Sequence, residues 1–271
     1  MIAALTLGYF VVFVTRTVTR TDIGTLATGP ANGAILLAAL GSAVTVTLTA
    51  VAWHQLLRPW CVTASVRDLA VILGQSQMAK YLPGNFGHHL ARSALTLRAG
   101  VPVHAVAATM AMEALWTAAV AVSLGSLGLG LSGHPPALLL AGAAGVITLG
   151  VVAVRQRAPA GVYGLNFLVL GLALFLVARA LAQPSLMSLP AFVGSFAIAW
   201  VAGFVVPGAP AGLGVREGLL VALLTPSLGL ATMPTILGFR IATTLGDLIS
   251  FVAASVLRNR QLVGSDSVSE V

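Results

Sequence analysis

The chain has 271 residues, of which 58% are hydrophobic and only 8% are charged. A soluble globule of this size cannot bury that much apolar surface, so the composition indicates a membrane protein. The formal net charge of +7 comes from basic residues scattered singly between apolar runs, which excludes the continuous basic stripe of a nucleic-acid-binding protein.

Apolar length, Pro and Gly breaks and edge charges predict an all-α fold with six full membrane crossings. The first begins near the N-terminus, which lacks the basic start and the cleavage site of a signal peptide. The six crossings fall at about 2–18, 31–57, 102–131, 136–154, 160–182 and 232–257. They form one transmembrane domain over 1–258, and we expect 259–271 to be a disordered cytoplasmic tail.

Two further segments, 65–98 and 187–225, are predicted to be broken, re-entrant hairpins. Each contains a Pro-Gly pair followed by an arginine, and the two sets are offset by 124 residues throughout: Pro83, Gly84 and Arg92 against Pro207, Gly208 and Arg216. Three crossings lie between the hairpins, so the second enters from the opposite face. This pattern predicts an inverted repeat, with repeat 1 at about 1–131 and repeat 2 at about 136–258.

The breaks predict an internal site, because backbone freed from a helix at membrane depth must be buried in protein or line a wet cavity. Asn85 is expected to cap the half-helix that follows it, whose first amides would favour a phosphate. The residues predicted to shape the two turns are Pro83, Gly84, Asn85, Gly87, Pro207, Gly208, Gly212 and Gly214.

Arg92 and Arg216 are the main candidates for phosphate contact, since a guanidinium can hold two phosphate oxygens and stays charged when partly desolvated. Lys80, His88 and His89 could supplement Arg92. The alternative is that Lys80 reaches to the interface and the histidines are interfacial polar residues.

Three acidic residues lie inside predicted membrane segments, where such residues are expensive and usually paired or functional. Glu113 lies about ten residues into its helix, Glu217 follows Arg216, and Asp247 comes seven residues after Arg240 on roughly the same helix face. Two readings stay open. Glu217 and Asp247 are counter-ions of Arg216 and Arg240, or the carboxylates, Glu113 and Glu217 first, couple transport to protons.

No catalytic motif is evident: the sequence has no Walker loop, no HExxH and no acidic pair at metal-ligand spacing. His88 and His89 are expected to point to different faces of a helix, which argues against zinc. We therefore expect a transporter rather than an enzyme, with no cofactor and no metal.

The segment Ala79-Lys80-Tyr81-Leu82-Pro83-Gly84-Asn85 with Gly87 and Arg92, followed by Pro207, Gly212, Gly214 and Glu217, resembles the flippase domain of the lysylphosphatidylglycerol synthase transmembrane region family. The resemblance implies a multi-pass protein of a bacterial or archaeal plasma membrane that moves a lipid head group between leaflets. Only eleven residues follow Arg260, too few for a synthase domain, so we expect a stand-alone member. It also implies a cargo, either a polyprenyl-phosphate-linked sugar or an anionic or aminoacylated phospholipid, and a glycosyltransferase as partner.

Arginines near the predicted helix ends favour a cytoplasmic N-terminus and C-terminus, seven against three. The leading hypothesis is a flippase that works by alternating access without ATP hydrolysis. The alternatives are a secondary transporter of a small anion, and a membrane-embedded partner or transferase of envelope glycolipid assembly.

Overall fold

The computed structural model describes residues 26, 29–60, 63–81, 87–156, 158–206, 212 and 214–266, with side chains described as far as residue 259. Within these ranges the chain is helical and contains no strand, which confirms the predicted all-α class. The first predicted crossing, 2–18, lies outside the described residues.

Nine α-helices occur in the described ranges. They are α1 (Gly29–Leu57), α2 (Val66–Ser76), α3 (Gly87–Arg98), α4 (Val103–Leu131), α5 (Pro136–Gln156), α6 (Ala160–Ala182), α7 (Leu189–Val205), α8 (Val215–Leu228) and α9 (Thr232–Asp266). Short 3₁₀ turns join some of them, including Gln77–Tyr81 after α2 and Leu186–Ser188 before α7.

Six segments of the described chain are long and apolar enough to cross a membrane: Gly29–Trp60, Val103–Leu131, Pro136–Gln156, Ala160–Ala182, Leu186–Val205 and Val215–Asn259. Five of them match or contain predicted crossings. The sixth, Leu186–Val205, is the part of the predicted hairpin 187–225 that precedes its break, and it is continuous because no proline lies between Pro190 and Pro207.

The last helix also differs from the prediction. It continues to Asp266, so residues 259–266 of the predicted tail are helical. The stretch Asn259-Arg260-Gln261-Leu262-Val263 contains neither Gly nor Pro. Extending an existing helix is favourable because each added residue gains a hydrogen bond without a new nucleation cost.

The helices stop and restart on either side of both predicted breaks. The Gln77–Tyr81 turn ends before the first break and α3 begins after it at Gly87, while α7 ends at Val205 and α8 begins at Val215. Pro83, Gly84, Asn85, Pro207 and Gly208 themselves lie outside the described residues. Local sequence explains the start of α2: Ser65 and Asp68 form a reciprocal capping box, with 3.2 Å from the Asp68 amide to the Ser65 hydroxyl.

Packing is built around α1 and α6, which lie along each other near the centre. Helix α4 packs against α5 and α7, and α9 packs against α1 and α2. Large apolar side chains on the outside, such as Leu37 and Leu40 of α1 and Ile147 of α5, are more than half exposed. This outward apolar surface suits lipid rather than water.

Candidate functional site

One cavity of about 290 Å³ lies in the interior of the bundle. Its walls come from the Gln77–Tyr81 turn and from seven helices, α1, α3, α4, α6, α7, α8 and α9, with Leu73 of α2 at the edge. It brings together most of the predicted site residues: Lys80, His88, His89, Arg92, Glu113, Gly212, Arg216, Arg240 and Asp247. Gly87, Gly214 and Glu217 do not line it.

Arg92 is held by a tight set of contacts. Its Nη1 and Nη2 donate to Glu113 Oε1 and Oε2 at 2.8 and 2.6 Å, a two-pronged ion pair between α3 and α4. Its guanidinium carbon lies 3.5 Å from the centre of the Trp53 ring, and the side chain is only 3% exposed. Only Nε is left without a partner. In this conformation Glu113 accepts from the two guanidinium nitrogens that we expected to bind a phosphate.

Asp247 pairs with the Gln77–Tyr81 turn. Its carboxylate forms an ion pair with Lys80 and accepts a hydrogen bond of 2.6 Å from the Tyr81 hydroxyl. The predicted pairing of Asp247 with Arg240 is therefore wrong. The two residues share a face of α9, but two helical turns separate them by about 10 Å along the axis, whereas Lys80 comes from a neighbouring element.

Glu217 is a helix cap. Its Oε2 accepts a 2.7 Å hydrogen bond from the amide of Gly214, which has φ +85° and opens α8. The other oxygen, Oε1, lies 3.7 Å from Arg240 Nε. The predicted pairing of Glu217 with Arg216 is also wrong, because successive helix residues face different directions and the first-turn carboxylate folds back onto free amides.

Arg216 is left without an ion pair among the described residues, and its buried Nε has no hydrogen-bond partner. The guanidinium passes over two glycines: a Cβ on Gly212 would lie 3.4 Å from its Nε, and one on Gly203 would lie 3.6 Å from it. Gly212 has φ +73°, a conformation that favours glycine. Gly212 of the second predicted turn and Gly203 of α7 thus leave the space that the Arg216 side chain occupies.

The two histidines converge instead of diverging as predicted. Their ring centres are 3.8 Å apart and both rings line the cavity. They lie in the first turn of α3, where no preceding turn obstructs the side chains. His88 Nδ1 is buried without a partner. No group of three metal-ligating side chains occurs in the part of the chain that is described.

Unsatisfied polar atoms concentrate at this cavity. Of eight buried side-chain atoms without a hydrogen-bond partner in the described ranges, six belong to its lining: His88 Nδ1, Arg92 Nε, Tyr163 Oη, Asn166 Oδ1, Arg216 Nε and Arg240 Nη2. Buried polar atoms are normally paired with protein, water or a ligand. The cavity therefore has the character of a binding site.

Sequence reasoning missed Tyr163 and Asn166 of α6 and Thr49 of α1. Asn166 donates to the Thr49 hydroxyl at 3.1 Å across the central helix pair. The available signal was an amide two turns into a helix that is otherwise almost wholly apolar, because polar side chains in such helices usually hydrogen-bond across to a neighbouring helix.

The fold and the cavity define a class: an all-helical protein with membrane-length helices around an internal cavity rich in cationic side chains. No protein-family model matches the chain, and no functionally curated protein is significantly similar to it.

Proposed function

We propose that the protein is a lipid flippase that moves a phosphate-headed lipid between the membrane leaflets. The observation that carries the proposal is Arg216, a largely buried guanidinium that lines an internal cavity and has no carboxylate partner among the described residues. Leaving a charge unpaired in such a place is unfavourable. An anionic ligand would remove that cost.

The charge of the lining favours an anion. Among the described lining residues there are four basic side chains, Lys80, Arg92, Arg216 and Arg240, and two acidic ones, Glu113 and Asp247. Both acidic side chains are already engaged, Glu113 by Arg92 and Asp247 by Lys80. Arg216 and the loosely paired Arg240 are thus the groups that a phosphate would meet first.

An apolar edge favours a lipid over a small water-soluble anion. Trp200 and Phe204 of α7 stack with ring centres 5.2 Å apart, and both line the cavity. Phe204 is 36% exposed and the adjoining Val205 is 68% exposed, so the cavity lining continues onto the apolar outer surface. A volume of about 290 Å³ is small for a ligand pocket. It would hold a head group while the tails stay in the bilayer.

The proposal includes an inverted repeat with two re-entrant hairpins. Reciprocal packing supports it: α4 lies against α7 as α9 lies against α2, with α1 and α6 in contact between them. Each half has one ion pair between its hairpin and its last helix. In the Arg92–Glu113 pair the arginine lies on the hairpin and the carboxylate on the last helix. In the Glu217–Arg240 pair the two positions are exchanged. Two half-sites of this kind suit alternating access.

The sequence resemblance supplies the biological setting of the proposal. By this resemblance the protein is a flippase of the lysylphosphatidylglycerol synthase transmembrane region family, in a bacterial or archaeal plasma membrane with both termini in the cytoplasm. Its cargo would be a polyprenyl-phosphate-linked sugar or an anionic or aminoacylated phospholipid, and a glycosyltransferase of the same pathway would be its protein partner.

The test is a flipping assay with the purified protein in phosphatidylcholine vesicles, using tail-labelled phosphatidylglycerol and a labelled prenyl-phosphate lipid. Dithionite bleaching of the outer leaflet reports the exchange. Arg216→Gln should slow exchange at least about tenfold, since a hydrogen bond to a charged group contributes about 1.5–3 kcal/mol. Arg258→Gln is the matched control, because Arg258 is exposed and bonds to Gln75 away from the cavity.

The proposal fails if wild-type vesicles exchange neither lipid faster than protein-free vesicles, or if Arg216→Gln matches wild type. Uptake of radiolabelled inorganic phosphate without lipid exchange would instead establish the small-anion alternative.

A further inference from the structure

A second set of polar side chains lines the cavity, and these carry no charge. Thr45 and Thr49 come from α1, and Tyr163 and Asn166 come from α6. The basic side chains of the lining lie on other elements, namely the Gln77–Tyr81 turn, α3, α8 and α9. None of these four neutral side chains therefore shares an element with a basic side chain of the lining.

One buried acceptor among these neutral side chains, Asn166 Oδ1, has no hydrogen-bond partner. The Thr49 hydroxyl donates to the Thr45 carbonyl at 2.8 Å, so it can only accept from Asn166 Nδ2. That fixes the orientation of the amide and leaves Asn166 Oδ1 buried without a partner. The Thr45 hydroxyl likewise donates to the Ser42 carbonyl oxygen, at 2.6 Å. Asn166 Oδ1 can only accept, so a ligand group that satisfies it must donate, while the Tyr163 hydroxyl can donate or accept.

Only two kinds of donor are common in lipid head groups, ammonium and hydroxyl. A buried ammonium is costly without a carboxylate to balance its charge, but Glu113 is held through both oxygens by Arg92, and Asp247 is held by Lys80 and Tyr81. The unpaired Arg216 would also repel it. A neutral hydroxyl meets neither obstacle.

We infer that the cavity selects a phosphate head group bearing neutral hydroxyls, such as a glycerol or sugar phosphodiester, and rejects one bearing an ammonium. Asn166 Oδ1 is the specificity-determining acceptor, and the buried Tyr163 hydroxyl, 2% exposed, is the second polar contact. The inference rests on the proposed function and narrows it. Among the cargoes that the sequence resemblance implies, it excludes the aminoacylated lipid.

The experiment compares three lipids with identical labelled tails in the vesicle assay: phosphatidylglycerol, phosphatidic acid and lysyl-phosphatidylglycerol. A labelled prenyl-phosphate sugar is the second hydroxyl-bearing probe, and it separates a sugar from a glycerol source. Asn166→Leu keeps the side-chain size but removes the acceptor. It should slow the hydroxyl-bearing lipid about tenfold and leave phosphatidic acid unchanged.

Two further variants complete the design. Tyr163→Phe should shift selectivity in the same direction without the risk of misfolding at Asn166. Ser195→Ala should change nothing, because Ser195 is an equally buried, unpartnered polar residue outside the cavity.

The outcomes separate the two proposals. If the wild-type protein moves no lipid, the flippase proposal itself falls. If it moves lysyl-phosphatidylglycerol as fast as phosphatidylglycerol, or if Asn166→Leu slows phosphatidic acid equally, the flippase proposal stands and the hydroxyl inference is overturned.

Discussion

Arg92 and Arg216 are separated by the 124-residue offset, yet their surroundings are opposite. Arg92 is stacked on Trp53, paired through two nitrogens to Glu113, and nearly inaccessible. Trp53 is itself fixed by a 3.0 Å hydrogen bond from Nε1 to Thr109. Arg216 has none of these contacts. In the described conformation Arg92 therefore joins α3 to α4, while Arg216 is available to a ligand.

At the residue scale, we expect Arg92→Met to destabilise the protein strongly. It leaves the Glu113 carboxylate, whose side chain is 16% exposed, without its partner, and breaking such a pair costs about 3 kcal/mol or more. The double variant Arg92→Met with Glu113→Leu should regain most of this loss, because it leaves no unpaired charge. Thermal unfolding in detergent measures both, with Arg258→Met as the exposed control. A double variant as unstable as the single one would contradict the prediction.

At the element scale, glycines set how closely α7 approaches α4 and how closely α2 approaches α9. A Cβ on Gly194 of α7 would lie 2.8 Å from the Leu129 amide nitrogen and 2.9 Å from the Gly125 carbonyl oxygen of α4. At the second contact, a Cβ on Gly74 of α2 would lie 2.7 Å from the Ser250 carbonyl oxygen of α9. Both obstacles are backbone atoms, so the helices must separate to admit any side chain.

Gly194→Ala should therefore lower stability by about 1–3 kcal/mol, the range for overpacking. Gly150→Ala on α5 is the matched control, because a Cβ there meets nothing within 4 Å. Alanine favours a helix over glycine by nearly 1 kcal/mol, so the control should be neutral or slightly stabilising. The measurement is the melting temperature of each variant and of the wild type, taken by thermal unfolding in the same detergent. Equal melting temperatures would show that α4 and α7 do not pack this closely.

The sequence was informative about elements and less so about partners. The bounds of α4 and α6 fall within a residue of those predicted, because their apolar sequence lies between Pro102 and Gly133 and between Pro159 and Pro184. The ion pairs of Asp247 and Glu217 could not be predicted in the same way. Both depend on which helices pack together. The same holds for Asn166, whose hydrogen bond to Thr49 exists only because α1 lies beside α6.

At the scale of the whole molecule, the central question is how α7 lies in the membrane. Its 17 residues extend about 26 Å, and with the preceding turn Leu186–Val205 is long enough to cross. Helix α2, its counterpart in the proposed repeat, has only 11 residues. A tilted α7 within a re-entrant hairpin and a fully crossing α7 place residue 206 at different depths, at mid-membrane in the first case and at the inner surface in the second.

Cysteine labelling separates these arrangements in a protein carrying Cys61→Ser. Thr63→Cys and Leu230→Cys mark two exposed positions, expected on the inner and outer faces respectively, and Val206→Cys follows α7 directly. A re-entrant hairpin enters and leaves by one face and breaks at mid-depth, so Val206→Cys should react with an impermeant maleimide much more slowly than either reference. If α7 crosses completely, Val206→Cys will instead react from the inner face as fast as Thr63→Cys. That result would remove the inverted repeat from the proposal while leaving the cavity and Arg216 in place.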